Sequence, residues 1–99
     1  MARKLKILPE ASAEFDESAT WYEKMSRGRG ILFSEAVVEM LDRILEQPDF
    51  FPKVRGQIRE ARLLNYPFCV YYQEIENGIL VISIFHTSRN PEIWQRRVS

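Results

Sequence analysis

Tyr66-Pro67-Phe68-Cys69-Val70-Tyr71-Tyr72-Gln73-Glu74-Ile75-Glu76-Asn77-Gly78-Ile79-Leu80-Val81-Ile82-Ser83-Ile84-Phe85-His86 is the stretch whose reading decides the fold. Two runs rich in β-branched and aromatic residues flank Asn77-Gly78, the strongest short-range hairpin signal a sequence offers. With Asn77-Gly78 as a two-residue turn, Glu76 stands opposite Ile79, Tyr72 opposite Ser83 and Cys69 opposite His86. Alternation then sorts the side chains into two sets. One holds Phe68, Val70, Tyr72, Ile79, Val81, Ser83 and Phe85. The other holds Cys69, Tyr71, Gln73, Ile75, Leu80, Ile82, Ile84 and His86. Both sets are apolar, so the pattern alone does not choose the core face. A chain with one helical layer would leave the other face bare, and a large bare apolar patch implies a partner that covers it.

Upstream, Lys4-Leu5-Lys6-Ile7-Leu8 alternates charge and apolar side chains, as a half-buried edge strand does. Pro9 ends that strand and suits the first turn of a helix. From Glu10 to Met25, Ala11, Phe15, Ser18/Ala19, Tyr22 and Met25 form one helical stripe, with Glu10, Glu14, Asp16 and Glu17 placed early where carboxylates favour the helix dipole. Arg27-Gly28-Arg29-Gly30 reverses the chain. A second helix is predicted from about Ile31 to Glu46, with Phe33, Ala36/Val37, Met40/Leu41 and Ile44 as its apolar stripe. The short connection predicts an antiparallel helical hairpin. Pro48 and Pro52 bracket a loop, Lys53 to Gln57 reads as a basic turn, and Ile58 to Leu64 as a strand. The order is β-α-α-β-β-β with a C-terminal helical turn. This predicts one α+β domain over residues 1–99, its helical hairpin packed on one face of an antiparallel sheet.

Composition narrows the function classes. Hydrophobic residues make up 45% of the 99, and fourteen basic residues balance fourteen acidic ones. The zero net charge argues against a general nucleic-acid binder. Cys69 stands alone, so neither an internal disulfide nor a cysteine-based metal site is readable, and neither metal nor cofactor is expected. No apolar run approaches membrane-spanning length. Met1-Ala2-Arg3-Lys4 leads into a strand-like run rather than a signal-peptide core, and a cytoplasmic protein is expected.

Each chemistry-bearing residue has a plain reading beside a functional one. His86, at a strand end, is a general base or a group that fixes a turn. Arg89 binds a phosphate or carboxylate, or caps the last turn. Arg55, Arg59 and Arg62 form a basic patch diluted by Glu60, or are scattered surface cations. Cys69 reads as a small buried hydrophobe. Trp94 reads as the anchor that ties the tail to the domain.

Taken together, several features resemble the ParE/RelE superfamily of toxins from type II toxin–antitoxin modules. They are the element order, Trp21-Tyr22 in the first helix, Ile58-Arg59 ahead of Asn65-Tyr66-Pro67-Phe68-Cys69-Val70-Tyr71-Tyr72, and the closing His86-Thr87-Ser88-Arg89-Asn90-Pro91-Glu92-Ile93-Trp94. The likeness spans nearly the whole chain. It implies growth arrest by one of two routes. RelE-like members cleave messenger RNA in the ribosomal A site, whereas ParE-like members inhibit DNA gyrase by binding. On an ungapped alignment Arg62 and Arg89 match basic positions of RelE-like enzymes. Cys69 falls on a catalytic arginine, Glu60 on a lysine, and Gln95 near a C-terminal tyrosine. The same alignment puts Cys69, Tyr71 and His86 on the uncovered sheet face. The departures at Glu60 and Cys69, with the His-x-x-Arg-x-Pro stretch, favour the ParE-like branch. The resemblance then implies no catalytic residue. A target or partner surface is assigned to Arg59, Arg62, Tyr71, His86, Arg89, Trp94 and Arg97. On the ribonuclease alternative Arg62, His86 and Arg89 carry the chemistry. Either way a cognate antitoxin is the expected partner in a hetero-oligomer, its C-terminal segment wrapping the toxin as an acidic amphipathic helix, and neither a membrane nor sequence-specific DNA contact is implied.

Overall fold

In the computed structural model, which describes residues 3–98, a five-stranded sheet in the order β1-β5-β4-β3-β2 carries two helices on one face. The strands are β1 (Lys4–Ile7), β2 (Lys53–Arg55), β3 (Ile58–Arg62), β4 (Phe68–Ile75) and β5 (Gly78–His86). The helices are α1 (Pro9–Met25), α2 (Arg29–Glu46) and the short α3 (Glu92–Gln95), which runs into a 3₁₀ turn at Arg96–Val98. The predicted α+β order holds. Two features go beyond it. β2 forms where a turn was expected, and β1 pairs parallel to β5, so the sheet is mixed.

Periodicity places α2 well. Phe33, Val37, Met40, Leu41 and Ile44 are all buried against the sheet, each worth about 1.5–3 kcal/mol on transfer from water. Their partners are Ala61, Leu63, Phe68, Val70, Tyr72, Ile79, Val81 and Ile84. α1 buries Ala11 and Glu14 and leans Phe15, Ala19 and Tyr22 on the same core. Met25, expected on that stripe, is 61% exposed. The helices approach closely at Gly30, where a Cβ would lie 2.6 Å from the Ala19 carbonyl oxygen.

The hairpin register differs from the expected one. Glu76 and Asn77 form the loop, with Asn77 at φ 62°, and Gly78 already belongs to β5. Gly78 is required for a different reason than turn geometry. A Cβ there would stand 2.1 Å from the Lys4 carbonyl oxygen, so only glycine lets β1 dock. Tyr72 pairs with Val81, Tyr71 with Ser83 and Phe68 with His86, and a bulge at Ile82 separates the first two pairs. Below the bulge the register is two residues from the expected one, which leaves every side chain on its predicted face. Above it the difference is one residue, which reverses the faces from Ile84 onward. Phe85 therefore leaves the helix side and Ile84 joins the main core.

The second face is not bare. α3 lays Trp94 flat on Tyr71, with ring centroids 4.0 Å apart and an interplanar angle of 17°. Ile58, Cys69, Tyr71, Ile82, Phe85 and Trp94 are buried together, with Leu80 and Val98 packed against them. The expectation that a partner must cover this face is overturned, because the chain's own tail roofs it.

A groove between the first helix and the end of the hairpin

The bulge also creates the site. Ile82 turns the Ser83 hydroxyl and the Ile84 N–H toward α1. Both donate to Glu14 Oε1, at 2.8 and 3.2 Å. Arg97 reaches back from the tail with Nη1 on Glu14 Oε1 (2.9 Å) and Nη2 on Oε2 (3.1 Å), and Arg89 Nη1 adds a contact at 3.3 Å. The Glu14 and Arg97 side chains are only 9% and 12% exposed. Glu14 thus ties α1, the bulge, the loop after β5 and the tail at one point. In the sequence it read only as a helix-dipole carboxylate. Its role was hidden because its partners lie 69 to 83 residues away.

Beside this junction runs a groove of about 540 Å³. One wall is α1, from Glu14 and Glu17 through Ser18, Trp21 and Tyr22 to Met25, a length of roughly 16 Å at helical rise. The other wall is Pro67, Phe68, Ile84, His86, Ser88 and Arg89, with Arg29 at the start of α2. Trp21 is 56% exposed and packs edge-on against Tyr22 at 5.1 Å. Burial raises the Tyr22 phenol pKa above its ordinary value, and neighbouring Tyr66 adds to that. His86 stands edge-to-face on Phe68, with centroids 5.0 Å apart. The Ser88 N–H donates to His86 Nδ1 at 3.1 Å, which puts the neutral ring's proton on Nε2. Among the described residues no acceptor meets that Nε2–H. The groove therefore offers an apolar floor, a fixed imidazole donor and two guanidiniums, one of them half committed to Glu14.

The seven residues assigned to a partner surface do not form one surface. His86 and Arg89 line the groove. His86 was expected on the uncovered sheet face; the bulge moves it to the helix side. Arg97 is buried in the Glu14 junction. Tyr71 and Trp94 are buried against each other, and the Tyr71 hydroxyl donates to Glu60 Oε2 at 2.8 Å. Arg59 donates to the carbonyls of Phe51 (2.6 Å) and Asp49 (3.2 Å) and pins the loop after α2. Arg62 is exposed, 4.0 Å from Glu60. Its pairing with Cys69 points it to the face opposite His86. Arg62, His86 and Arg89 are thus not brought together, and Glu60 stands beside the outlying one. Cys69 is buried as expected, and burial pushes its thiol pKa up, with Glu60 adding to that. Among the described residues no set of His, Cys, Asp and Glu side chains is placed to hold a metal, and no helix is long and apolar enough to cross a membrane. Reasoning from sequence missed Glu14, Met25 and Arg29; only Trp21-Tyr22, noted as a family feature, signalled this side of α1.

No protein-family model matches the chain, and no curated relative does. Solved structures do match. A chain of the chromosomal ParDE toxin–antitoxin system from P. aeruginosa superposes with a TM-score of 0.77, at 16% identity, over 88% of this chain and 98% of that one. A mutant of the E. coli toxin RelE in the free state gives a TM-score of 0.70 at 19% identity, over the whole of both chains. The chain has the fold of the ParE/RelE toxins.

Proposed function

We propose that this chain is the toxin of a type II toxin–antitoxin module, that it acts in the cytoplasm by binding its target without breaking a bond, and that a cognate antitoxin neutralises it. DNA gyrase is the target on the ParE-like reading. The fold shared with a ParDE chain and with RelE supports the toxin class. One observation carries the choice between binding and cleavage: Arg62 and His86 project from opposite faces of the sheet. Cleavage of an RNA phosphodiester needs cations and a proton-transfer group converging within hydrogen-bond reach of one phosphate. Here Glu14 draws on both Arg89 and Arg97, and Glu60 faces Arg62. The groove of Trp21, Met25, His86 and Arg89 suits a binding role instead, since an exposed tryptophan beside an arginine is a common interface anchor.

Purified chain added to a gyrase supercoiling reaction is expected to inhibit it, and a Trp21→Ala/His86→Ala variant is expected to inhibit less. Undiminished supercoiling at micromolar protein, together with discrete A-site cuts by primer extension that vanish in Arg89→Ala, would replace this reading with the ribonuclease one.

A further inference from the structure

The outer surface of the helical hairpin carries a second groove, of about 650 Å³, that shares no lining residue with the first. Its floor is Ala19, Ile31 and Val38, and its rim is Glu23, Glu35 and Glu39. No lining residue is cationic. Ile31 is 66% exposed and Val38 51%. Gly30 makes the floor shallow by letting α1 and α2 nearly touch.

The three carboxylates differ in how they are used. Glu23 accepts from the backbone N–H groups of Gly28 and Gly30, at 3.0 Å each, and so caps the start of α2 with its charge held in place. Glu35 and Glu39 are exposed, one helical turn apart, and among the described residues neither accepts a hydrogen bond or closes an ion pair. Like charges at that spacing cost a helix a few tenths of a kcal/mol. The chain accepts that repulsion beside two exposed branched side chains, offset in part by Arg43 one turn beyond Glu39. An apolar strip bordered by one sign of charge is what an oppositely charged amphipathic helix recognises: its apolar residues, a turn apart, meet the floor and its flanking cations meet the rim.

We propose that this groove docks an amphipathic helix from a partner protein, bearing lysine or arginine on both flanks of its apolar stripe. A second copy of this chain does not fit. The surface of α1 carries Glu10, Asp16, Glu17 and Glu23 against Lys24, and that of α2 carries Glu35, Glu39, Asp42 and Glu46 against Arg29 and Arg43, so neither helix is the basic one required. The acidic antitoxin segment implied by the family resemblance does not fit either. The groove is therefore a docking place of its own, and the inference stands whether or not the chain inhibits gyrase.

The probes are two synthetic helical peptides with the same leucine spacing, one flanked by lysines and the other by glutamates. Amide NMR titration of the full chain with the lysine peptide is expected to shift Ile31, Glu35 and Val38 selectively. A Glu35→Lys/Glu39→Lys variant, both changes exposed and compatible with the fold, is expected to lose affinity for it on the order of tenfold or more and to gain affinity for the glutamate peptide. Binding of both peptides alike, binding of neither, or shifts that map away from α1 and α2 would overturn the proposal.

Discussion

Removing the Glu14 carboxylate tests the junction on which the fold and the first groove depend. Glu14→Ala deletes the acceptor of the Ser83 hydroxyl, the Ile84 N–H, one Arg89 contact and two Arg97 contacts. It leaves the Arg97 guanidinium, 12% exposed, with only the Ile82 carbonyl at 3.1 Å among the described residues. Breaking a buried pair from one side costs about 3–5 kcal/mol, most of it for the stranded charge. At a urea slope of about 1.5 kcal/mol/M, reasonable for a small domain, the unfolding midpoint falls by roughly 2–3 M. Arg97→Met is expected to cost less, because Ser83, Ile84 and Arg89 still satisfy the carboxylate and a methionine fills the vacated space. Urea titrations should be run in a Trp21→Phe background, so that fluorescence reports Trp94 alone. Glu14→Ala is expected to red-shift Trp94 emission before the main transition, as the tail loosens from Tyr71. A loss below about 1 kcal/mol, with native Trp94 emission unchanged, would refute the claim that this carboxylate holds the tail.

Four further outcomes are expected. Trp94→Ala should destabilise the chain by about 3–5 kcal/mol in the same titration, whereas Trp94→Phe should cost under about 1.5, because the indole Nε1–H has no partner among the described residues and none is lost. Stability should be intact below about pH 10 and fall as pH rises toward 12. Burial pushes the Tyr72 phenol up to about 12, so the folded state keeps a proton that the unfolded state releases near 10. Tyr72→Phe should lessen that slope in pH-dependent melts, with Tyr71, also pushed up by burial, carrying the rest, while losing the hydrogen bond to the Pro48 carbonyl. Cys69 should resist iodoacetamide at pH 8 until urea unfolds the chain, since burial disfavours its thiolate; rapid labelling of native protein would contradict this. Gly78→Ala should detach β1, whose Lys4 oxygen occupies the place of the new Cβ, seen as fast hydrogen exchange at the Leu8 amide that otherwise donates to the Val81 carbonyl.

Much of the architecture is local and was therefore legible. The stripe Phe33, Val37, Met40/Leu41 and Ile44 names a helix and its buried face without outside help, because a 3.6-residue period on one side has a single solution. Phe68, Val70 and Tyr72 read as core only through the family alignment, which put Cys69 and Tyr71 on the other face, because both faces of the hairpin are apolar. Trp94 read correctly as the tail's anchor. The start of α2 was placed two residues late, and the edge strand Lys53–Arg55 was missed because its three residues have no period to detect.

The sequence by itself determined the elements apart from β2, their order and the apolar character of both sheet faces. The tertiary structure decided which residues meet in the groove. A bulge at Ile82 inverts the end of β5, and its freed polar groups are satisfied by a carboxylate from α1. That carboxylate in turn captures an arginine from the tail and draws Trp94 over the second face. Such a junction has no signature in the chain, because register is set by the balance of contacts across the sheet, and one residue of slip moves His86 from one side of the molecule to the other.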